Sequence, residues 1–128
     1  MIAADSSSIV NFLQGSDTAD RILVREALRE RTLWLPPPVK TELLSGRTQS
    51  EPLARLLAQA PLLEIADGFW RRAGENRRLL LSKGLKAKLA DALIAQCCID
   101  ANVPLIARDS DYRHFAQWCG LKLATPKV

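Results

Sequence analysis

Met1-Ile2-Ala3-Ala4-Asp5-Ser6-Ser7-Ser8 opens the chain. A compact apolar run that stops at an acid and a cluster of hydroxyl side chains reads as a short buried strand turning directly into a capped helix. That helix is expected from about Ser7, with Ile9, Val10, Phe12 and Leu13 as its apolar stripe and Gly15 as its stop. A second helix follows from about Thr18, carrying Ile22, Leu23, Ala27 and Leu28 at helical spacing and closing on the cations Arg29 to Arg31.

The same alternation continues. Leu33-Trp34-Leu35 is a second strand, and Pro36-Pro37-Pro38 blocks its extension while permitting a helix to start at the last proline and run to Gly46. Ser50 caps a short helix through Leu53, Leu56 and Leu57, and Leu62-Leu63-Glu64-Ile65 is a third strand. Asp67 is the expected cap of a basic helix from Phe69 to about Lys83, which Gly84 ends. A mostly apolar helix spans about Lys88 to Ala101, Val103-Pro104-Leu105-Ile106-Ala107 is a fourth strand, and Leu121-Lys122-Leu123 is a candidate fifth. Near-continuous apolar strands alternating with helices specify an α/β fold, a central mostly parallel sheet of four to five strands flanked by helices. At 128 residues and 48% apolar, one domain over residues 1–128 is expected.

Within this frame four acids stand in apolar neighbourhoods: Asp5 at the end of strand one, Glu42 on the helix after the prolines, Asp91 in Leu89-Ala90-Asp91-Ala92-Leu93-Ile94-Ala95, and Asp109 after strand four. In parallel α/β sheets ligands gather beyond the carboxyl ends of the strands, where Asp5 and Asp109 fall and which Glu42 and Asp91 can face from helices. Carboxylates drawn into one partly dry pocket repel one another unless a cation neutralises them, and all-oxygen ligands select Mg²⁺ or Mn²⁺. Taken singly each acid has a plainer reading: Asp5 as a helix cap, Glu42 as a solvated helix residue, Asp109 as a turn residue, Asp91 as a partner of Arg108 or a lysine.

The segments Ala4-Asp5-Ser6-Ser7, Val39 to Gly46 around Glu42, Leu89 to Ala95 around Asp91, and Leu105-Ile106-Ala107-Arg108-Asp109-Ser110-Asp111-Tyr112 together resemble the PIN domain, in particular the VapC-like toxins of bacterial toxin–antitoxin pairs. It is their order and spacing over essentially the whole chain that carries the resemblance. It implies a PIN-like domain and a metal-dependent endoribonuclease, with Asp5, Glu42, Asp91 and Asp109 catalytic, and with Asp5, Asp91 and Asp109 holding Mg²⁺ or Mn²⁺. Ser7 and Asp111 are supporting residues, and Asp111 is the second candidate for the place given to Asp109. Where the family has Asp-Thr-Ser or Asp-Thr-Asn, this chain has Asp5-Ser6-Ser7, which keeps the hydroxyl and loses a methyl. The resemblance also implies an RNA substrate, a cognate antitoxin that covers the crevice, and a homodimer.

Other function classes find less support. A catalytically silent PIN-like module that binds RNA or a protein is the main alternative, and the complete set of acids argues against it. Phosphatase chemistry lacks its D-x-D at Asp5, a receiver domain lacks adjacent acids near its first strand, and no G-x-x-x-x-G-K-[ST] supports a P-loop. Three cysteines, one histidine and no C-x-x-C make structural zinc improbable and reduced, buried thiols the better reading. His114 is set aside as a surface or partly buried residue, and Trp34, Trp70 and Trp118 are too scattered for a stacking platform and are read as core or interface.

A net charge of +4 and a pI near 9.3 are compatible with a polyanionic substrate without being diagnostic. Arg77 and Arg78, in the basic series from Arg71 to Lys88, are candidate substrate contacts, although a solvated helix face is the plainer account. Ile9, Phe12, Leu13, Leu53 and Leu57 read equally as core, homodimer seam or antitoxin docking face. With no apolar stretch of membrane-spanning length and no basic, apolar leader, the cytoplasm is the expected location and no membrane role is expected.

Overall fold

The structure is a computed structural model that describes residues 1–15 and 17–125. Strand β1 (Ile2–Ala4) runs into α1 (Ser6–Gln14) and α2 (Ala19–Glu30), and then β2 (Leu33–Trp34) leads to α3 (Pro37–Ser45) and α4 (Glu51–Gln59). Helices α5 (Phe69–Ser82) and α6 (Leu89–Ala101) precede β3 (Leu105–Ile106), and α7 (Tyr112–Cys119) follows it. The sheet order is β2-β1-β3, all parallel, with Ile2 opposite Leu33 and Ala3 opposite both Trp34 and Leu105.

The expected third and fifth strands are present as single bridging residues, Leu62 on Leu35 and Leu123 on Leu105, each parallel. Proline accounts for the brevity of the first. Leu35 donates its N–H to Pro61 O and accepts from Leu63 N, but Pro37, the next residue to face that neighbour, carries no N–H to continue the ladder. On the other edge Leu105 donates to Lys122 O and accepts from Ala124 N. The chain thus lays down β1, then β2 and the Leu62 segment to one side, and crosses back to place β3 and the Leu123 segment on the other. The winding reverses between β1 and β3, where Asp5 N–H donates to Ile106 O at 3.0 Å.

Local chemistry explains the helix ends. Asp5, extended at φ −82° and ψ 170°, caps α1 by accepting from Ser8 N, and Gly15 closes it in the left-handed region at φ 74°. Pro37 starts α3 at a position where a missing N–H costs nothing. The cap of α5 is Gly68 at φ 79°, not Asp67, whose carbonyl instead accepts from Arg72. A full helix, α7, occupies the stretch between the fourth and fifth strand segments, where the sequence reading has none.

The core is one continuous cluster in which Ala3, Ile9, Leu35, Leu80, Ile94 and Leu105 are essentially inaccessible. Helix α6 is apolar nearly all the way round because α3, α5 and α7 all pack on it. Of the residues with three open readings, Ile9 and Leu53 are core, and Phe12, Leu13 and Leu57 are half-buried against it. Cys97 and Cys98 are buried free thiols and Cys119 is a half-buried one; burial pushes the Cys97 thiol up to about 12. No helix among the described residues is long and apolar enough to cross a membrane.

Candidate active site

The four acids meet. Asp5 arrives at the end of β1, Glu42 from α3, Asp91 from the first turn of α6 and Asp109 from the loop after β3. All four line one crevice of about 190 Å³, together with Ser6, Ser7 and Tyr112. It opens where the sheet reverses its winding, so topology rather than sequence proximity brings the carboxylates together.

Each carboxylate is held differently. Asp5 is 4% exposed; its Oδ1 accepts from Ser8 N and its Oδ2 from the Ser7 hydroxyl, both at 3.0 Å. The helix cap and the site are therefore one residue. Burial pushes the Asp5 carboxyl above its ordinary range, the bonds from Ser8 and Ser7 pull it back, and the nearby charge of Asp20 adds to the rise. Glu42 is exposed, and the Ser6 hydroxyl donates to its Oε1 at 2.6 Å. Asp109 Oδ1 accepts from Asp111 N at 2.9 Å, which fixes the loop that presents it.

Asp91 is the least satisfied. Its Oδ1 accepts from the Tyr112 hydroxyl at 3.2 Å, while Oδ2 is buried with no hydrogen-bond partner. Burial raises its pKa, and the charges of Asp109 and Asp5 raise it further against the pull of Tyr112 and Lys88. A buried, unpartnered carboxylate oxygen facing other acids is costly unless a cation meets it. Asp91, Asp109 and Asp111 each offer one oxygen, all within 4.8 Å of one another, a set of hard donors that suits Mg²⁺ or Mn²⁺. Asp111 thus joins the cluster, although Lys86 Nζ lies 3.9 Å from its Oδ2. Among the described residues no lysine or arginine forms a salt bridge with Asp5, Glu42, Asp91 or Asp109; Arg108 turns instead toward Asp20, at 3.9 Å.

Tyr112 is the residue that sequence reasoning missed. It is 1% exposed, yet its hydroxyl reaches the crevice, and burial together with the surrounding Asp91, Asp5 and Glu42 drives its pKa far above normal. It stays a protonated donor. The available signal was helical spacing from Tyr112 to Phe115 and Cys119 before Gly120, which puts Tyr112 at the start of a helix beside Asp109. Arg77 and Arg78 do not line the crevice; Arg77 Nε donates to Ala87 O at 2.9 Å and ties α5 to the loop before α6. His114 does not line it either, and Arg72 is committed to Asp100 through two bonds of 3.0 and 2.7 Å.

The family model for the PIN domain matches residues 2–117, which include every acid of the crevice. The chain belongs to the PIN-domain family. Three solved structures share the PIN fold at low identity. VapBC2 from Rickettsia felis, bound to a DNA fragment from its promoter, has a TM-score of 0.71 at 20% identity, over 97% of this chain and 98% of that one. DNA-bound VapBC from Salmonella typhimurium gives 0.68 at 19%, over 97% and 98%. VapBC-5 from Mycobacterium tuberculosis, a member of the VapBC family of toxin–antitoxin systems, gives 0.62 at 20%, over 99% and 98%. No curated protein is significantly similar in sequence.

Proposed function

We propose that this PIN domain is a metal-dependent endoribonuclease, the VapC-like toxin of a toxin–antitoxin pair. The observation that carries the reading is the convergence of Asp5, Glu42, Asp91 and Asp109 in one crevice at the switch point, with a buried Asp91 oxygen left unpartnered. Asp91 and Asp109, with Asp5 or Asp111, would hold Mg²⁺ or Mn²⁺, which when bound would supply a charge sink for the phosphoryl oxygens and lower the pKa of water. Ser7 and Ser8 hold Asp5, and Tyr112 holds Asp91, so that the oxygens facing the crevice need little reorganisation.

Glu42, exposed and steered by Ser6, takes the proton of the attacking water. The water oxygen bonds to phosphorus as the bond to the 3′-oxygen breaks, and that oxygen takes a proton from solvent while Glu42 returns its own to solvent, giving 5′-phosphate and 3′-hydroxyl ends. The likeness to VapBC complexes supports an antitoxin as partner, and a homodimer is carried with the same reading. Arg77 and Arg78 are retained as outer contacts that draw RNA toward the crevice; their charge reversal weakens RNA binding at low salt and matters less at high salt.

The test is incubation of the purified protein with total RNA, with Mn²⁺ and with EDTA, followed by sequencing of new 5′ ends. Cutting that requires Mn²⁺ and falls at least about 100-fold in Asp91→Asn supports the reading. Full cutting in chelator, or cyclic-phosphate ends, overturns the mechanism.

A further inference from the structure

Next to the acid crevice lies a second, wholly different concavity of about 470 Å³. Pro37 and Pro38 wall one side, Phe69 and Trp70 another, and Ile65 and Leu93 contribute apolar surface. The two hollows are neighbours that share a wall residue: Glu42 lines both, and Ala90 lines this groove while Asp91, the next residue of α6, lines the crevice. Trp70 is 67% exposed, an unusual state for the largest apolar side chain, and its ring is held edge-on to Phe69 with centroids 4.8 Å apart.

We infer that this groove is the nucleobase subsite of the enzyme, in which Trp70 stacks on an unpaired base of the RNA nucleotide flanking the scissile phosphate. The inference rests on the ribonuclease reading and adds to it where the chain grips its substrate. A phosphate seated at the carboxylate cluster must send the adjoining nucleotide somewhere, and the groove that shares Glu42 is the apolar surface beside it. Lys88, at the start of α6 and close enough to Asp91 to act on its charge, supplies a cation for the backbone at that end.

The chemistry of the lining favours a base over a peptide. Apart from Thr41 and Glu42 the groove offers no polar side chain, so an extended peptide backbone laid along it would leave most of its N–H and C=O groups without partners. A base needs nothing further from it: both faces are π surfaces and its edges remain in water. Stacking on a single indole tolerates any base, which predicts a preference for unpaired RNA at the cut rather than for a particular letter.

The test uses the full chain. The Asp91→Asn protein binds without cutting, so a short single-stranded RNA spanning the mapped cut is titrated against it and against the same protein carrying Trp70→Leu. Loss of one base–aromatic stack weakens binding about 5- to 150-fold, and Trp70→Phe recovers most of it. An abasic residue beside the cut imposes a similar loss on the Trp70 protein and no further loss on Trp70→Leu. Equal RNA affinity with and without Trp70, or an abasic penalty that persists in Trp70→Leu, overturns the subsite while leaving the nuclease intact. A Trp70→Leu protein that loses only its antitoxin assigns the groove to a protein segment and overturns it too. Failure of the Asp91→Asn parent and the wild type to bind any RNA sinks the ribonuclease reading, and the subsite with it.

Discussion

Asp91 and Tyr112 illustrate how one hydrogen bond divides a carboxylate into a held oxygen and a presented one. The raised pKa of Asp91 has a consequence for stability with a definite sign. A carboxyl whose pKa is higher folded than unfolded contributes most below its ordinary value near 3.8, and that contribution is lost as pH rises through the raised value. At neutral pH the ionised group opposes the metal-free fold. Asp91→Asn is therefore expected to melt higher than wild type at pH 7 in EDTA, with the gap closing below pH 4, as two thermal melts will show; a lower melt at pH 7 contradicts the site.

Asp5 separates cap from ligand in the same way. Asn serves equally as an N-cap, so Asp5→Asn is expected to keep the fold and lose cutting, whereas Asp5→Ala also loses about 1 kcal/mol of stability, measured by urea unfolding. Tyr112→Phe keeps the ring in the core but frees Asp91 Oδ1, and is expected to cost about 1 kcal/mol and to weaken Mn²⁺ binding about 10-fold by calorimetry. The acids were legible through the order and spacing of the four segments that carry them, since each taken singly has a plainer reading. Tyr112 was not, because a buried aromatic at helical spacing reads as core, and here it is core along its ring and site at its hydroxyl.

At the scale of elements, legibility followed the strength of the stop signals. Gly15, the three prolines and Gly84 fall where helices and strands end, within a residue or two of expectation. Where two turn residues compete, as Asp67 and Gly68 do, side-chain capping preference misleads: the chain needs a left-handed residue, which only glycine supplies without strain. Helix α7 escaped notice because its polar and charged residues dilute an eight-residue period, and its stability comes from packing Tyr112 and Phe115 rather than from propensity. Helix α5 carries an interior glycine, Gly74, that is exposed and has open space where a Cβ would stand. Gly74→Ala is expected to add about 0.5–1 kcal/mol, raising the melting midpoint about 2–5 °C with cutting unchanged. A drop in the midpoint would mean that the helix face is not free.

For the whole molecule, the sheet order determines where the site lies and the site in turn weakens the fold. Topology could be read only in part, because alternation of strands and helices specifies a parallel sheet without specifying that β3 crosses to the far side of β1. That crossing is what sets Asp109 beside Asp5, and burial of acids there is a standing electrostatic load on the metal-free protein. A ligand that binds only the folded state relieves it by mass action, about 2.7 kcal/mol at a concentration 100 times its Kd. Mn²⁺ is therefore expected to raise the melting midpoint of wild type in proportion to the logarithm of its concentration, and to do so less in Asp91→Asn. Protons compete for the same oxygens, so the shift should shrink as pH falls toward the carboxylate range, while added Na⁺ at matched ionic strength produces none of it. A midpoint indifferent to Mn²⁺ and Mg²⁺ at neutral pH, in a protein that remains folded, would leave the clustered carboxylates without a counter-charge and remove the physical basis of the proposed chemistry.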